Sequence, residues 1–202
     1  GALKGGRQIW MLAKLENIVI EPIKNDISDS FLLLSSSHDG KQSLRCFFTT
    51  VRVVCANTMR VAINKGQGEG ITIRHSGSLK QKKEEAQRLL GLAISEFSEF
   101  KDVAKQLARL RVNTDYFTAF MDYLIPLDPK KNNTRRENIR EKITELFESG
   151  RGTNIPGVRG TGWNALQCLT EYTNHNKSYK NTDGAGGNSD DNRMTSIWHG
   201  ES

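Results

Sequence analysis

The chain reads as an α+β protein: a small antiparallel β-sheet with a hairpin, packed on one long helix and followed by a helical C-terminal lobe. Three observations predict this. Short apolar runs bounded by turn signals fill the first 75 residues, one long stretch follows with a helical apolar repeat, and shorter helical patterns come after it. Strands first and helices later argue against an alternating βαβ arrangement.

Ile9-Trp10-Met11-Leu12-Ala13 is an apolar run of strand length, and Phe31-Leu32-Leu33-Leu34 begins the clearest strand. Asp39-Gly40 then marks a hairpin turn, because both turn positions favour residues that tolerate positive φ. The return strand spans 42–48, with Leu44, Cys46 and Phe48 on one face and Arg45 and Phe47 on the other. Thr49-Thr50 offers a cap for a helix over 51–63, in which Val51, Val54, Cys55, Thr58, Met59 and Ala62 repeat at three and four. Residues 65–70 form a Gly-rich loop, and 71–74 a further short strand.

From Leu79 to Arg111, Ala86, Leu89, Leu90, Ala93, Phe97, Phe100, Ala104, Leu107 and Leu110 form an apolar stripe opposite charged residues. At 1.5 Å per residue this helix reaches about 45 Å. Two helices follow, 114–124 ended by Pro126, and 134–148 ended by Gly150. A basic, Gly-rich linker over 151–160 leads to a helix over 161–176. A polar loop at 182–191 precedes a docked end at 193–199. The expected division is a sheet and long-helix core at 1–111, carrying nucleic-acid contacts, and a helical lobe at 112–202.

Composition narrows the function. The 202 residues carry 29 Lys+Arg against 23 Asp+Glu, and 36% are hydrophobic. No apolar run approaches the roughly 20 residues that span a bilayer. Three cysteines without a CxxC pair exclude a disulfide framework and a four-cysteine zinc site, and favour a reducing compartment. The net charge of +6 sits mainly in residues 1–75, where 10 basic side chains face 6 acidic ones. Dispersed along strands, such cations form a stripe that tracks a phosphate backbone.

Catalytic signatures are weak. The four histidines, His38, His75, His175 and His199, show no HxH or HExxH spacing. There is no GxSxG elbow, and Gly66-x-Gly68-x-Gly70 lacks the Gly-Lys-Ser/Thr ending of a phosphate loop. Asn164, Cys168, Glu171 and His175 recur at four, three and four on one helix face. They suit contacts to bases or phosphates, or a buried polar network, and the network is favoured.

Five motifs carry a resemblance. They are Gly-Gly-Arg-x-Ile-Trp-x-Leu-Ala-Lys-Leu (5–15), Leu-Leu-Leu-Ser-Ser-Ser-His-Asp-Gly (32–40), Thr-x-Val-Arg-Val-Val-Cys-x-Asn-Thr (49–58), Ile-Arg-His-Ser-Gly (73–77) and Gly-Thr-Gly-Trp-Asn-Ala-Leu-Gln-Cys-Leu-Thr-Glu-Tyr-Thr-Asn-His (160–175). Together they resemble the phage/plasmid-like proteins of bacterial mobile elements, a family of unknown function. The resemblance implies a segment ahead of the first motif, so the chain reads as a piece of a longer protein. The order of a curved sheet, long helix and helical lobe is similar, at the level of fold, to phage single-strand annealing proteins of the Redβ, RecT and Erf type. That likeness implies an oligomer that holds DNA in a basic groove without ATP.

The expectation is therefore a non-enzymatic protein of the bacterial cytoplasm that binds single-stranded DNA and promotes annealing. It needs no cofactor and works as a homo-oligomeric ring or filament. Lys41, Arg45, Arg52, Arg60 and Arg74 would contact phosphates and Phe47 would stack on bases. Two alternatives stand beside it: a metal-dependent nuclease or hydrolase using His38, Asp39, His75 and His175, and a regulatory or counter-defence protein that binds a host protein.

Overall fold

A computed structural model describes residues 1–37, 44–61, 71–72, 79–179 and 189–199. Six strands form one antiparallel sheet: β1 (Ala2–Leu3), β2 (Gln8–Ile23), β3 (Asp26–Ser37), β4 (Arg45–Arg52), β5 (Asn57–Val61) and β6 (Ile71–Thr72). The order is β1-β2-β3-β4-β5, and β6 pairs with β4 beside β5. The helices are α1 (Leu79–Arg109), α2 (Thr114–Leu124), α3 (Thr134–Ser149), α4 (Gly162–Glu171) and α5 (Ser189–His199). The α+β class is as expected.

Strand β2 is 16 residues long, far beyond the 9–13 run that marks it in sequence. Lys14 pairs with Phe31 but Val19 with Asp29, so five steps on β2 face two on β3. That bulge breaks the alternation by which a strand is recognised. Strands β2 and β3 join through Lys24-Asn25, where Asn25 takes φ 69° and the Glu21 carboxylate accepts its N–H at 2.7 Å. Asparagine tolerates this left-handed conformation better than most side chains. Strands β3 and β4 are antiparallel neighbours, as the hairpin requires, and pair up to Ser35 opposite Arg45. The Asp39-Gly40 turn itself lies outside the described residues.

Over the described residues 51–61, the helix expected over 51–63 is replaced by sheet and turn. Residues 51–52 complete β4, residues 53–56 turn with Ala56 at φ 54°, and β5 returns from Asn57. Thr49 and Thr50, read as a helix cap, direct their hydroxyls to the Met59 carbonyl at 3.0 and 3.5 Å. The β-branched residues satisfy the pleat, and Val53 and Val54 stay exposed at 60% and 45%.

The sheet is covered on both faces. On one, Cys46, Phe48 and Ile20 pack with Leu89, Ala93, Phe97 and Ala104 of α1 and with Trp163 of α4. On the other, Leu33 and Phe47 form a smaller cluster with Trp10, Leu12 and Met194 of α5. A third cluster gathers Phe117 and Met121 of α2, Ile143, Leu146 and Phe147 of α3, and Cys168 of α4. Helix α4 thus serves two cores, with Trp163 in the first and Cys168 in the third.

Residues 151–160 are not a bare linker. Hydrogen bonds from Thr153 to Gly150, Ile155 to Gly152 and Val158 to Ile155 wind them into successive turns, and Val158 is fully buried. Gly152, at φ 85°, lies so close to Arg52 that a Cβ there would come within 2.6 Å of its guanidinium. Beyond α4 the helix widens into a π turn at Tyr172–Asn176, closed by the Lys177 N–H donating to the Tyr172 carbonyl at 2.8 Å.

Candidate nucleic-acid interface

The six residues expected to contact DNA divide sharply. Lys41 and Arg74 lie outside the described residues. Arg60 lies on β5, its backbone opposite Thr49. Arg45 is half-buried at the start of β4, between Ser35 and Thr72 on the neighbouring strands. Phe47 is 1% exposed, and Arg52 2%. These last two are corrections to the expected contact set. Both faces of β4 are roofed, so alternation sends Phe47 into a second core where it cannot meet a base.

Arg52 is committed elsewhere. Its Nε and Nη2 donate to the two carboxylate oxygens of Asp26 at 2.6 Å each, and its Nη1 donates to the Arg151 carbonyl at 3.1 Å. Asp26 also accepts the indole N–H of Trp163 at 2.8 Å. Burial on its own would lower the guanidinium pKa, but the hydrogen bonds and charge of Asp26 outweigh it and raise the value. This is a fixed cation tying the β2–β3 hairpin, β4 and α4 together, and it leaves no fork free for phosphate.

The polar stripe on α4 behaves as a network. Asn164 donates to the Phe147 carbonyl at 2.7 Å, Glu171 accepts the Arg151 N–H at 3.0 Å, and His175 Nε2 sits 3.1 Å from the Cys55 carbonyl. Asn174, next to His175, both accepts from the Thr58 N–H at 3.1 Å and donates to its carbonyl at 3.0 Å. Each side chain holds backbone from a different segment. Burial raises the Cys168 thiol to about 12 and the Cys46 thiol to about 11, so neither is an activated nucleophile. Of the residues named for a metal-dependent reaction, His38, Asp39 and His75 lie outside the described residues. Among the described residues no three metal-binding side chains converge.

Helix α2 presents a surface that the sequence reading passed over. It begins with the Asn113 side chain accepting from the Tyr116 N–H, and its inner face buries Phe117 and Met121. Its outer face carries Tyr116, Phe120 and Tyr123 at four and three, exposed by 70%, 38% and 86%. Leu127, 40% exposed, follows. From Arg109 to Arg136 the chain carries six basic and three acidic residues. Two of those acids are paired, Asp122 with Arg140 and Asp128 with Lys131. Arg109, Arg111, Lys130 and Arg135 are exposed. The signal was present in the sequence as a helix of 11 residues with two apolar stripes, when one suffices for a core.

The chain matches a family model over residues 1–198, described as a domain of unknown function (DUF932). The chain belongs to that family. No curated protein and no solved structure matches it. Among the described residues, no helix is long and apolar enough to cross a membrane.

Proposed function

We propose that the protein binds single-stranded DNA and promotes annealing in a phage- or plasmid-bearing bacterial cytoplasm, without nucleotide hydrolysis. The observation that carries this reading is the exposed aromatic stripe of α2, flanked in the chain by exposed arginines and lysines. Rings on a surface stack on bases of any identity, and cations beside them neutralise the backbone. The contact set therefore shifts from the sheet to the helical lobe, with Tyr116, Phe120 and Tyr123 as the platform and Arg45 and Arg60 kept from the sheet. A helix surface of this kind leaves base edges open to a complementary strand. Exposed apolar pairs, Leu90 with Ile94 on α1 and Ile9 with Met11 on β2, favour assembly into a ring or filament.

Binding of a fluorescent oligonucleotide, measured as NaCl rises from about 50 to about 500 mM, tests the reading. Log affinity should fall linearly with log salt, by roughly 0.7 per phosphate neutralised. A flat profile, or no binding at low salt, removes it.

A further inference from the structure

A cleft of about 1120 Å³ opens between α3 and the π turn. Its lining carries three cations from two elements: Arg135 and Lys142 on α3, and Lys177 just after the π turn. No carboxylate belongs to that lining, but Glu145, one turn along α3, pairs with Lys142 at 2.8 Å. Among the described residues this leaves Arg135 and Lys177 as the lining's uncommitted charges. The floor is apolar, with Ile139, Ile143 and Leu169, and Tyr172 adds a half-buried aromatic ring. Arg135 lies near enough to that ring for its charge to oppose the rise in the Tyr172 pKa that burial causes.

Two backbone features point at the same space. Asn133, at the N-cap of α3, makes no side-chain cap, because its amide turns back to Asp128 and Lys131. The first turn of α3 borders the cleft beside Arg135, with the Thr134 N–H taken up by the Asn132 side chain at 2.9 Å. The opposite wall is the π turn, which brings Tyr172, Thr173 and Asn176 to the lining. Such turns are rare and concentrate at functional sites. The volume is ample for one nucleotide.

We propose that this cleft binds a phosphate-bearing ligand of nucleotide size, its phosphate held between Arg135 and Lys177 and its base laid against Tyr172. The site uses none of the stripe residues of α2, so it does not depend on the strand-binding reading. The ligand is a free nucleotide or one nucleotide unit of a strand, which present the same chemistry.

The test uses the whole chain, with adenosine triphosphate titrated by calorimetry and labelled short oligo(dT) by fluorescence anisotropy. The double variant Arg135→Ala/Lys177→Ala should weaken one of these probes by about tenfold or more, since each loses a charge-assisted bond. Lys101→Ala/Lys105→Ala on α1 should leave both unchanged. Loss of triphosphate binding identifies a free nucleotide. Loss confined to oligo(dT) identifies a unit of the strand only where Lys177→Ala alone reproduces it, because Arg135 also flanks the α2 stripe; an oligo(dT) loss seen only in Arg135 variants belongs to that stripe and overturns the proposal. If the double variant melts early, Arg135→Glu repeats the test at an exposed first-turn position where an acid favours the helix. The proposal is overturned if neither probe binds wild type, if neither is weakened by the cleft variants, or if the control variant weakens them equally. Failure of strand binding in variants of Tyr116 and Tyr123 bears only on the platform, so the two readings fail separately.

Discussion

Arg52 and Asp26 form a two-pronged ion pair in which both side chains are almost wholly removed from water, 2% and 0% exposed. Two hydrogen bonds of 2.6 Å and the indole of Trp163 saturate the carboxylate, while Gly152 leaves just the space the guanidinium occupies. Such a pair is weak evidence of net stabilisation, but removing one partner strands a buried charge. Asp26→Asn should therefore lower stability by about 3–5 kcal/mol in urea unfolding. Asp26→Leu with Arg52→Met should cost clearly less than Asp26→Asn alone. Equal costs would mean that the pair's charge is not what the fold depends on.

The outer edge of β5 carries a second prediction. Asn174 reads the Thr58 backbone as a neighbouring strand would, accepting its N–H and donating to its carbonyl. It thereby covers part of a sheet edge that would otherwise template aggregation. Asn174→Ala should cost about 1–3 kcal/mol through the two unmet backbone groups. It should also raise the aggregation rate on warming, followed by light scattering. A loss of stability without faster aggregation would remove the edge-covering role.

How far the fold could be read depended on whether local pattern and tertiary packing agreed. Helix α1 was legible from its apolar repeat, and α2 and α3 from the stop signals at Pro126 and Gly150. Strand β2 was not, since the bulge after Lys14 shifts its side chains out of step. Residues 51–63 carry spacing that fits a helix, yet Arg52 is drawn to Asp26, and that long-range pull is invisible in a local window. The interface followed the same rule. Arg52 and Phe47 have the right chemistry for DNA, but only the covering of both sheet faces shows them to be unavailable. Conversely, α2 was readable as a helix, while the packing of α3 and α4 decides that Phe117 faces inward and Tyr116 outward.

The thiols give a pH prediction. Burial lifts Cys46 from its ordinary 9.0 to about 11 and Cys168 to about 12. The native protein then keeps protons that the unfolded chain has lost, so the contribution is intact below about pH 9 and stability falls as pH climbs through the raised values. Urea unfolding should show this decline between about pH 9 and about pH 11, shallower in Cys46→Ala/Cys168→Ala. A thiol reagent at about pH 8 should label these two cysteines only as the protein unfolds. Rapid labelling of the native protein, or identical pH slopes in both proteins, would contradict their burial.

Adjacent residues on α2 should give opposite results. Phe117 is 2% exposed and its ring stacks on Phe147 at 3.9 Å, so Phe117→Ala should cost about 3–5 kcal/mol as a cavity opens in the lobe core. Tyr116 and Tyr123 are 70% and 86% exposed, and alanine is the better helix former, so Tyr116→Ala/Tyr123→Ala should leave stability within about 0.5 kcal/mol per site. If these rings are the stacking platform, the same double variant should weaken oligo(dT) binding by about tenfold or more while keeping much of the salt slope, because stacking is lost and the cations remain. Thermal melts and anisotropy titrations on the three proteins separate the cases. Unchanged strand affinity in the tyrosine variant would remove α2 as the platform, whatever the stability of the helix that carries it.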